Sequence, residues 1–309
     1  MPAENDKITV LIPIHNEEGN LTNLLAQLTA ILTPWNYEII CIDDGSTDNT
    51  LDVLKQLHAN NTRINYLSFS RNFGHQSALR AGYHYASGDC VICMDGDLQH
   101  PPELIPHMIQ KWKEGYDIVN TTRKDSAKTG FFKRLTSSFF YTLINKLSDI
   151  KIKEGSADFR LIDKSIVEII RNFQESPLFL RGIISWLGFK QYYMDYVPDQ
   201  RTWGKTKYSV SRMFRFAING ITSFSIKPLR LSALIGAFVA VLAFIYGLYA
   251  IYGKLVLKDT VPGWTSTLIV ISFIGGLQLL MIGILGEYIG KLFIESKRRP
   301  DYIVREKSL

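Results

Sequence analysis

Two carboxylates one glycine apart, Asp95-Gly96-Asp97, stand at the end of the apolar run Cys90-Val91-Ile92-Cys93-Met94. Charges so placed repel one another and lose hydration, so a cation or ligand must compensate them. A D-x-D pattern alone is a weak signal, because aspartates commonly cap helices and turn chains. Here a second acidic cluster, Asp43-Asp44-Gly45-Ser46, ends another apolar run. Hard divalent cations such as Mg²⁺ and Mn²⁺ favour oxygen ligands, and Mg²⁺ typically joins one or two carboxylates to substrate phosphates. The phosphate-loop pattern G-x-x-x-x-G-K-[ST] is absent from the sequence. Two acidic strand ends, a metal and no such lysine point to a nucleoside diphosphate. Asp43 and Ser46 are balanced between ligand contact and bonding within the turn and the next helix cap.

The elements that must position these groups are legible as alternation. Strands are expected at 8–14, 37–43, 64–69, 90–94, 117–122 and 190–197, with a short apolar "DFRLI" at 158–162. Amphipathic stretches lie between them, and in the first Leu21, Leu24, Leu25, Leu28 and Ile31 recur at helical spacing. Strand–helix alternation predicts an α/β, Rossmann-like, mostly parallel sheet, with ligands gathered at the carboxyl ends of its strands. Cys90 and Cys93 form a C-x-x-C within a strand, where positions three apart face opposite sides, so both are read as core. His75 and His100 lie near the motifs without a ligand pattern and are read as structural or peripheral.

The C-terminal third is different in kind. Leu231 to Gly253 and Trp264 to Gly286 carry no charge, and each runs 23 residues. As helix that is about 34 Å, enough for a bilayer core of about 30 Å. Basic residues flank the pair on one side: Arg212, Arg215, Lys227 and Arg230 before it, and Lys291, Lys297, Arg298 and Arg299 after it. The positive-inside rule then places both termini and the N-terminal domain in the cytoplasm of a multi-pass inner-membrane protein. "ITVLIPI" is too short for a signal-peptide core. Residues 208–226 place Val210, Met213, Phe214, Ala217, Ile218 and Ile221 on one face, as an interfacial amphipathic helix would. The net charge of +6 suits an anionic leaflet, and nucleic acid is not expected as a partner. Three cysteines agree with a reducing compartment. The expected division is a catalytic domain at 1–204, an interfacial helix at 205–228, and a membrane domain at 229–309. The last has spans near 231–253 and 264–288 and a short cytoplasmic tail.

The ordered set "PIHNEEGN", "IDDGSTDNT", "RNFGHQSALRAG", "DGDLQHPPE" and "GSADFRL" resembles the family 2 glycosyltransferases of the GT-A fold. More narrowly, the chain is similar to polyprenyl-phosphate glycosyltransferases, and within them to bactoprenol glucosyltransferases with two C-terminal membrane helices. The resemblance implies inverting transfer of a sugar from a nucleotide donor, UDP-glucose as the best guess, to undecaprenyl or a similar polyprenyl phosphate. It also leaves room for a homo-oligomer.

The resemblance further implies roles. Pro13, His15 and Glu17 match the segment lining nucleobase and ribose, with His15 standing where the family usually has tyrosine. Asp44 matches the donor-binding acid. Asp95, with Gly96, falls on the ribose or sugar side, and Asp97 with Gln99 would bind the Mg²⁺ or Mn²⁺. Arg123, and Arg201 and Lys207 of "RTWGKTK", would contact phosphates. Asp158 matches the acid near the acceptor, usually assigned as base, although it could serve only as a partner for Arg160. A phosphate monoester acceptor has a second pKa of about 6, so much of it is already dianionic in the cytoplasm. Asp158 is therefore expected mainly to position the acceptor or an arginine. Two other readings remain at this point: a processive polysaccharide synthase, which usually carries Q-x-x-R-W where this chain has "DQRTW", and a catalytically silent nucleotide-binding scaffold.

Overall fold

The computed structural model describes residues 6–124, 155–175, 179–197, 221–222, 225–252 and 263–309. They divide between two compact units. One holds the described residues up to 197 together with Arg299–Leu309, and the other holds those from 221 to 298.

The first unit is built on one eight-stranded sheet. Its strands are β1 (Lys7–Ile14), β2 (Asn36–Asp43), β3 (Ile64–Phe69), β4 (Cys90–Cys93), β5 (Ile118–Arg123), β6 (Ser156–Asp163), β7 (Gln191–Tyr196) and β8 (Val304–Lys307). Their spatial order is β7-β5-β6-β4-β1-β2-β3-β8. β4, β1, β2 and β3 are mutually parallel, and the sequential order reverses at β1. That reversal leaves a crevice at the carboxyl edge between β1 and β4, where open α/β sheets take their ligands. β6 runs antiparallel between β4 and β5, and so interrupts the parallel run that strand–helix alternation leads one to expect.

Helices α1 (Glu18–Leu32), α2 (Thr50–Asn60), α3 (His75–Tyr85), α4 (Ile105–Lys113), α5 (Lys164–Arg171) and α6 (Leu180–Trp186) accompany this sheet. α1 buries Leu21, Leu24, Leu25 and Leu28, the spacing read from sequence, and adds Leu32. β1 is buried at every position but the first, because helices cover both faces of a parallel sheet. Cys41, Cys90 and Cys93 are free and buried; burial raises all three thiols, Cys93 to about 12. The C-x-x-C is packing, as expected.

The second unit contains α7 (Lys227–Tyr252) and α8 (Trp264–Ser296), both long and apolar enough to cross a bilayer. α7 has no buried residue, which is unlike a core helix of a soluble protein. Gly236 of α7 faces Met281 of α8, whose Cε and Sδ would lie 3.8 Å from an added Cβ. Arg298 adopts a left-handed φ of 45° just past α8, a conformation that ends helices. The expected interfacial helix at 205–228 lies almost wholly outside the described residues.

The tail after α8 departs from expectation. Instead of trailing from the membrane domain, Arg299–Leu309 belongs to the first unit, and β8 pairs antiparallel with β3 at the sheet edge. Four residues with charges at three successive places show no apolar run, so only the exposed edge of β3 reveals their role.

Candidate active site

Register places the acidic groups level with one another. Ile14 pairs with Asp43, so His15 and Asp44 follow side by side, and His15 Nδ1 lies 3.0 Å from the Asp44 carbonyl. Cys93 pairs with Arg160 across β4 and β6. Continuing that antiparallel register by two residues sets Asp158 opposite Asp95. The carboxyl edge thus gathers His15, Asp44, Asp95 and Asp158 at the crevice that the topology creates.

Asp43 and Asp44 divide their work. Asp43 accepts from Ser46 N at 2.9 Å and Ser68 Oγ at 2.7 Å, so it bonds within the fold. Asp44 takes the backbone amides of Phe73 at 2.6 Å and Gly74 at 2.9 Å, fixing the loop between β3 and α3. Burial pushes its carboxyl above the ordinary value despite those two amides. Gly45 has φ of +65°, and an added Cβ would lie 2.3 Å from the Arg71 carbonyl carbon. Only glycine lets this turn and that loop meet. Glu17 accepts from Asn20 Nδ2 at 2.6 Å, and Asn16 holds Thr47 N at 2.8 Å from a left-handed φ of 58°.

Asp95 sits between two histidines. His75 Nε2 donates to Oδ1 at 2.9 Å, and His100 Nε2 lies 3.8 Å from Oδ2. His100 Nδ1 accepts from Asp95 N at 3.0 Å, which puts the His100 proton on Nε2, facing the carboxylate. Its ring stacks on Phe159 at 5.1 Å. Burial works to raise the Asp95 pKa, but His75 and His100 outweigh it and hold the carboxyl below its ordinary range. Both histidines, expected to be peripheral, are therefore part of the site. They fall inside RNFGHQSALRAG and DGDLQHPPE without a ligand spacing, and the start of α3 and the loop after β4 bring them to Asp95.

Asp97 Oδ1 accepts from Gln99 N at 3.2 Å, and Leu98 between them is held at φ 59°. A left-handed leucine costs about 1–2 kcal/mol, and such strain gathers where geometry serves a ligand. Arg123, at the carboxyl end of β5, donates to Gln99 Oε1 at 3.3 Å. Gly155, at φ +75° with its Cβ position 2.8 Å from the Arg123 carbonyl oxygen, admits that end of β5 beside β6. Among the described residues no three His, Cys, Asp or Glu side chains close a metal cage. The donors present are a carboxylate and an amide oxygen, the incomplete oxygen set that suits a cation finishing its shell on phosphates.

Asp158 is the most constrained group. It accepts from Arg160 Nη2 at 2.8 Å, and from Arg181 through Nε and Nη2, both at 2.9 Å. Its Oδ2 lies 3.9 Å from His75 Nδ1. Burial would raise its pKa, but the Arg181 and Arg160 guanidiniums hold the carboxyl far below the usual carboxylate range. Asp158 is thus a fixed anion and a poor proton acceptor. Arg160, at 3% side-chain exposure, is its buried partner; Arg181, at 29%, is the more exposed of the two. No motif points to Arg181, which arrives on α6. His75, bridging Asp95 and Asp158, has its pKa lowered by burial and raised more strongly by the two carboxylates, for a net increase. Arg201 and Lys207 lie outside the described residues.

The acidic edge belongs to a mixed, GT-A-like α/β sheet, and two helices long and apolar enough to cross a membrane follow it in the chain. Residues 9–170 match glycosyl transferase family 2, and the chain belongs to that family. Residues 227–292 match the GtrB C-terminal hairpin. The chain is 43% identical to a bactoprenol glucosyl transferase of Shigella phage SfV, covering 97% of this chain and 99% of that one. It is 40% identical to an uncharacterized glycosyltransferase of Synechocystis, covering 97% and 95%. A crystal structure of mannosyl-3-phosphoglycerate synthase from Rubrobacter xylanophilus shares the fold at a TM-score of 0.54 and 16% identity, over 71% of this chain and 73% of that one.

Proposed function

We propose that this glycosyltransferase moves glucose from UDP-glucose to a polyprenyl phosphate at the cytoplasmic face of the inner membrane, with inversion at the anomeric carbon. The observation that carries the reading is the near-full-length similarity to bactoprenol glucosyl transferases, hairpin included. An acceptor confined to a bilayer also gives α7 and α8 a purpose.

In this reading Pro13, His15 and Glu17 line the nucleobase and ribose, Asp44 binds the donor, and Asp95 and Gly96 face the ribose or sugar. Asp97 and Gln99 would hold Mg²⁺ or Mn²⁺. The ion supplies charge neutralisation at the diphosphate leaving group. Arg123, already at Gln99, adds positive charge on the same side. Arg201 and Lys207 are proposed to contact phosphates from the segment beyond the described residues. An acceptor phosphate oxygen attacks the anomeric carbon, the bond from that carbon to the diphosphate oxygen breaks, and its electron pair leaves with UDP. A dianionic acceptor has no proton to surrender. Asp158, locked as a carboxylate, then acts by orienting Arg181 toward the acceptor phosphate.

The test is incubation of the detergent-solubilised full chain with labelled sugar nucleotides, polyprenyl phosphate and Mg²⁺ or Mn²⁺. The expected product is a lipid-extractable glucosyl label that disappears with a chelator. A different sugar as sole donor would correct the substrate, long polymer would mean a processive synthase, and no product from any donor would overturn the proposal.

A further inference from the structure

The segment after α8 reaches the donor side of the sheet. Only Lys297 and Arg298 separate Ser296, the last residue of α8, from Arg299. Within the first unit, Ser70 N donates to the Ile303 carbonyl at 3.0 Å, and Asp301 pairs with Arg80 of α3. The first contact holds the start of the loop between β3 and α3, and the second holds the middle of α3 beyond it. Tyr302 lies between them and stacks on Phe69, with centroids 5.1 Å apart and planes 14° apart. Phe69 in turn meets Phe73 edge-on at 5.8 Å. Phe73 N and Gly74 N are the amides that hold the two oxygens of Asp44. Arg71 covers the Phe73 ring at 4.0 Å. A three-ring relay thus runs from the C-terminal segment to the carboxylate assigned to the donor.

We propose that Tyr302 is a positioning residue for nucleotide-sugar binding. By packing on Phe69 it fixes Phe73, and so sets the loop that presents its amides to Asp44. The inference rests on the assignment of Asp44 to the donor. Phe69 is almost fully buried while Tyr302 is half-buried, so the outer ring can be changed without emptying the core.

The test measures donor KM, acceptor KM, UDP affinity with Mg²⁺ and melting temperature in the full chain. An aromatic pair is worth about 0.5–1.5 kcal/mol, so Tyr302→Ala is expected to weaken UDP binding and raise donor KM by roughly three- to tenfold. Acceptor KM stays unchanged, and Tyr302→Phe restores wild-type values. If Tyr302→Ala does not fold, Tyr302→Leu keeps apolar cover without the stacked ring and carries the same expectation. A lower melting temperature with donor KM and UDP affinity unmoved means the ring only stabilises the fold, and overturns the proposal. Asp44→Asn separates the two levels. If it weakens the donor while Tyr302→Ala does not, the relay fails and the donor site stands. If Asp44→Asn leaves the donor untouched, the assignment of Asp44 fails and the relay with it.

Discussion

Arg181 grips Asp158 with two parallel hydrogen bonds, Nε to Oδ1 and Nη2 to Oδ2, both 2.9 Å long. A lysine at 181 would keep the charge but lose the fork. Hydrogen bonds to charged groups are worth about 1.5–3 kcal/mol, so Arg181→Lys is expected to lower kcat/KM for the acceptor by roughly ten- to a hundredfold. Steady-state kinetics with acceptor varied, donor KM holding constant, check this. Asp158→Ala goes further, because it strands Arg160 in the interior. Breaking a buried pair typically costs about 3–5 kcal/mol, which a thermal melt in detergent will register.

The same pairing fixes a pH signature. The folded pKa of Asp158 is depressed, so its stabilising contribution is complete above the unfolded value near 3.9 and is lost only as pH falls through the lower folded value. Between pH 5 and 9 it stays ionised. The acid limb of the rate profile is then set by other groups, the acceptor phosphate with its second pKa of about 6 among them. Asp158→Asn is expected to lower the rate while leaving that limb in place. A defect present at low pH that vanishes once the acceptor is fully ionised would show Asp158 to be a base after all.

His75 titrates with the opposite sign. Its folded pKa is raised, so the stability it contributes is full below the unfolded value near 6.5 and fades as pH rises through the folded one. In chelated protein, the melting-temperature gap between wild type and His75→Ala should be widest near pH 6 and narrow above it. A gap independent of pH would mean that His75 contributes by packing alone. With 39% of its side chain exposed, salt should also narrow the gap.

Gly45 offers a purely steric test. Any other residue there takes a left-handed φ at about 1–2 kcal/mol, and its Cβ collides with the backbone of Arg71. Gly45→Ala is expected to lower the melting temperature and to raise donor KM, because relief requires the loop that holds Asp44 to shift. Gly19→Ala, where an added Cβ meets nothing within 4 Å, is the matched control.

What sequence could and could not reveal follows from how local each signal is. β4 was legible because an apolar run ends abruptly in Asp95 and Asp97. The buried face of α1 was legible because its leucines repeat at helical spacing. β6 showed only as a short apolar stretch, and its antiparallel place between β4 and β5 depends on pairing partners far away in sequence. β8 was invisible: Tyr66 N bonds Ser308 Oγ across 242 positions. At the site, the carboxylates carried motifs. His75 and His100 fall inside those motifs and Arg181 outside them, but nothing in their neighbouring residues records which carboxylate each will face.

The C-terminal strand also orders events in time. Its pairing partner β3 is synthesised early, whereas β8 follows both apolar helices in the chain. Until then the sheet has a bare edge with unpaired amides and carbonyls, open to other chains. Long-range closure of this kind is slow, so β8 sets when this edge of the sheet is covered. A nascent chain that stalls after α8 would have its helices made and its sheet unfinished.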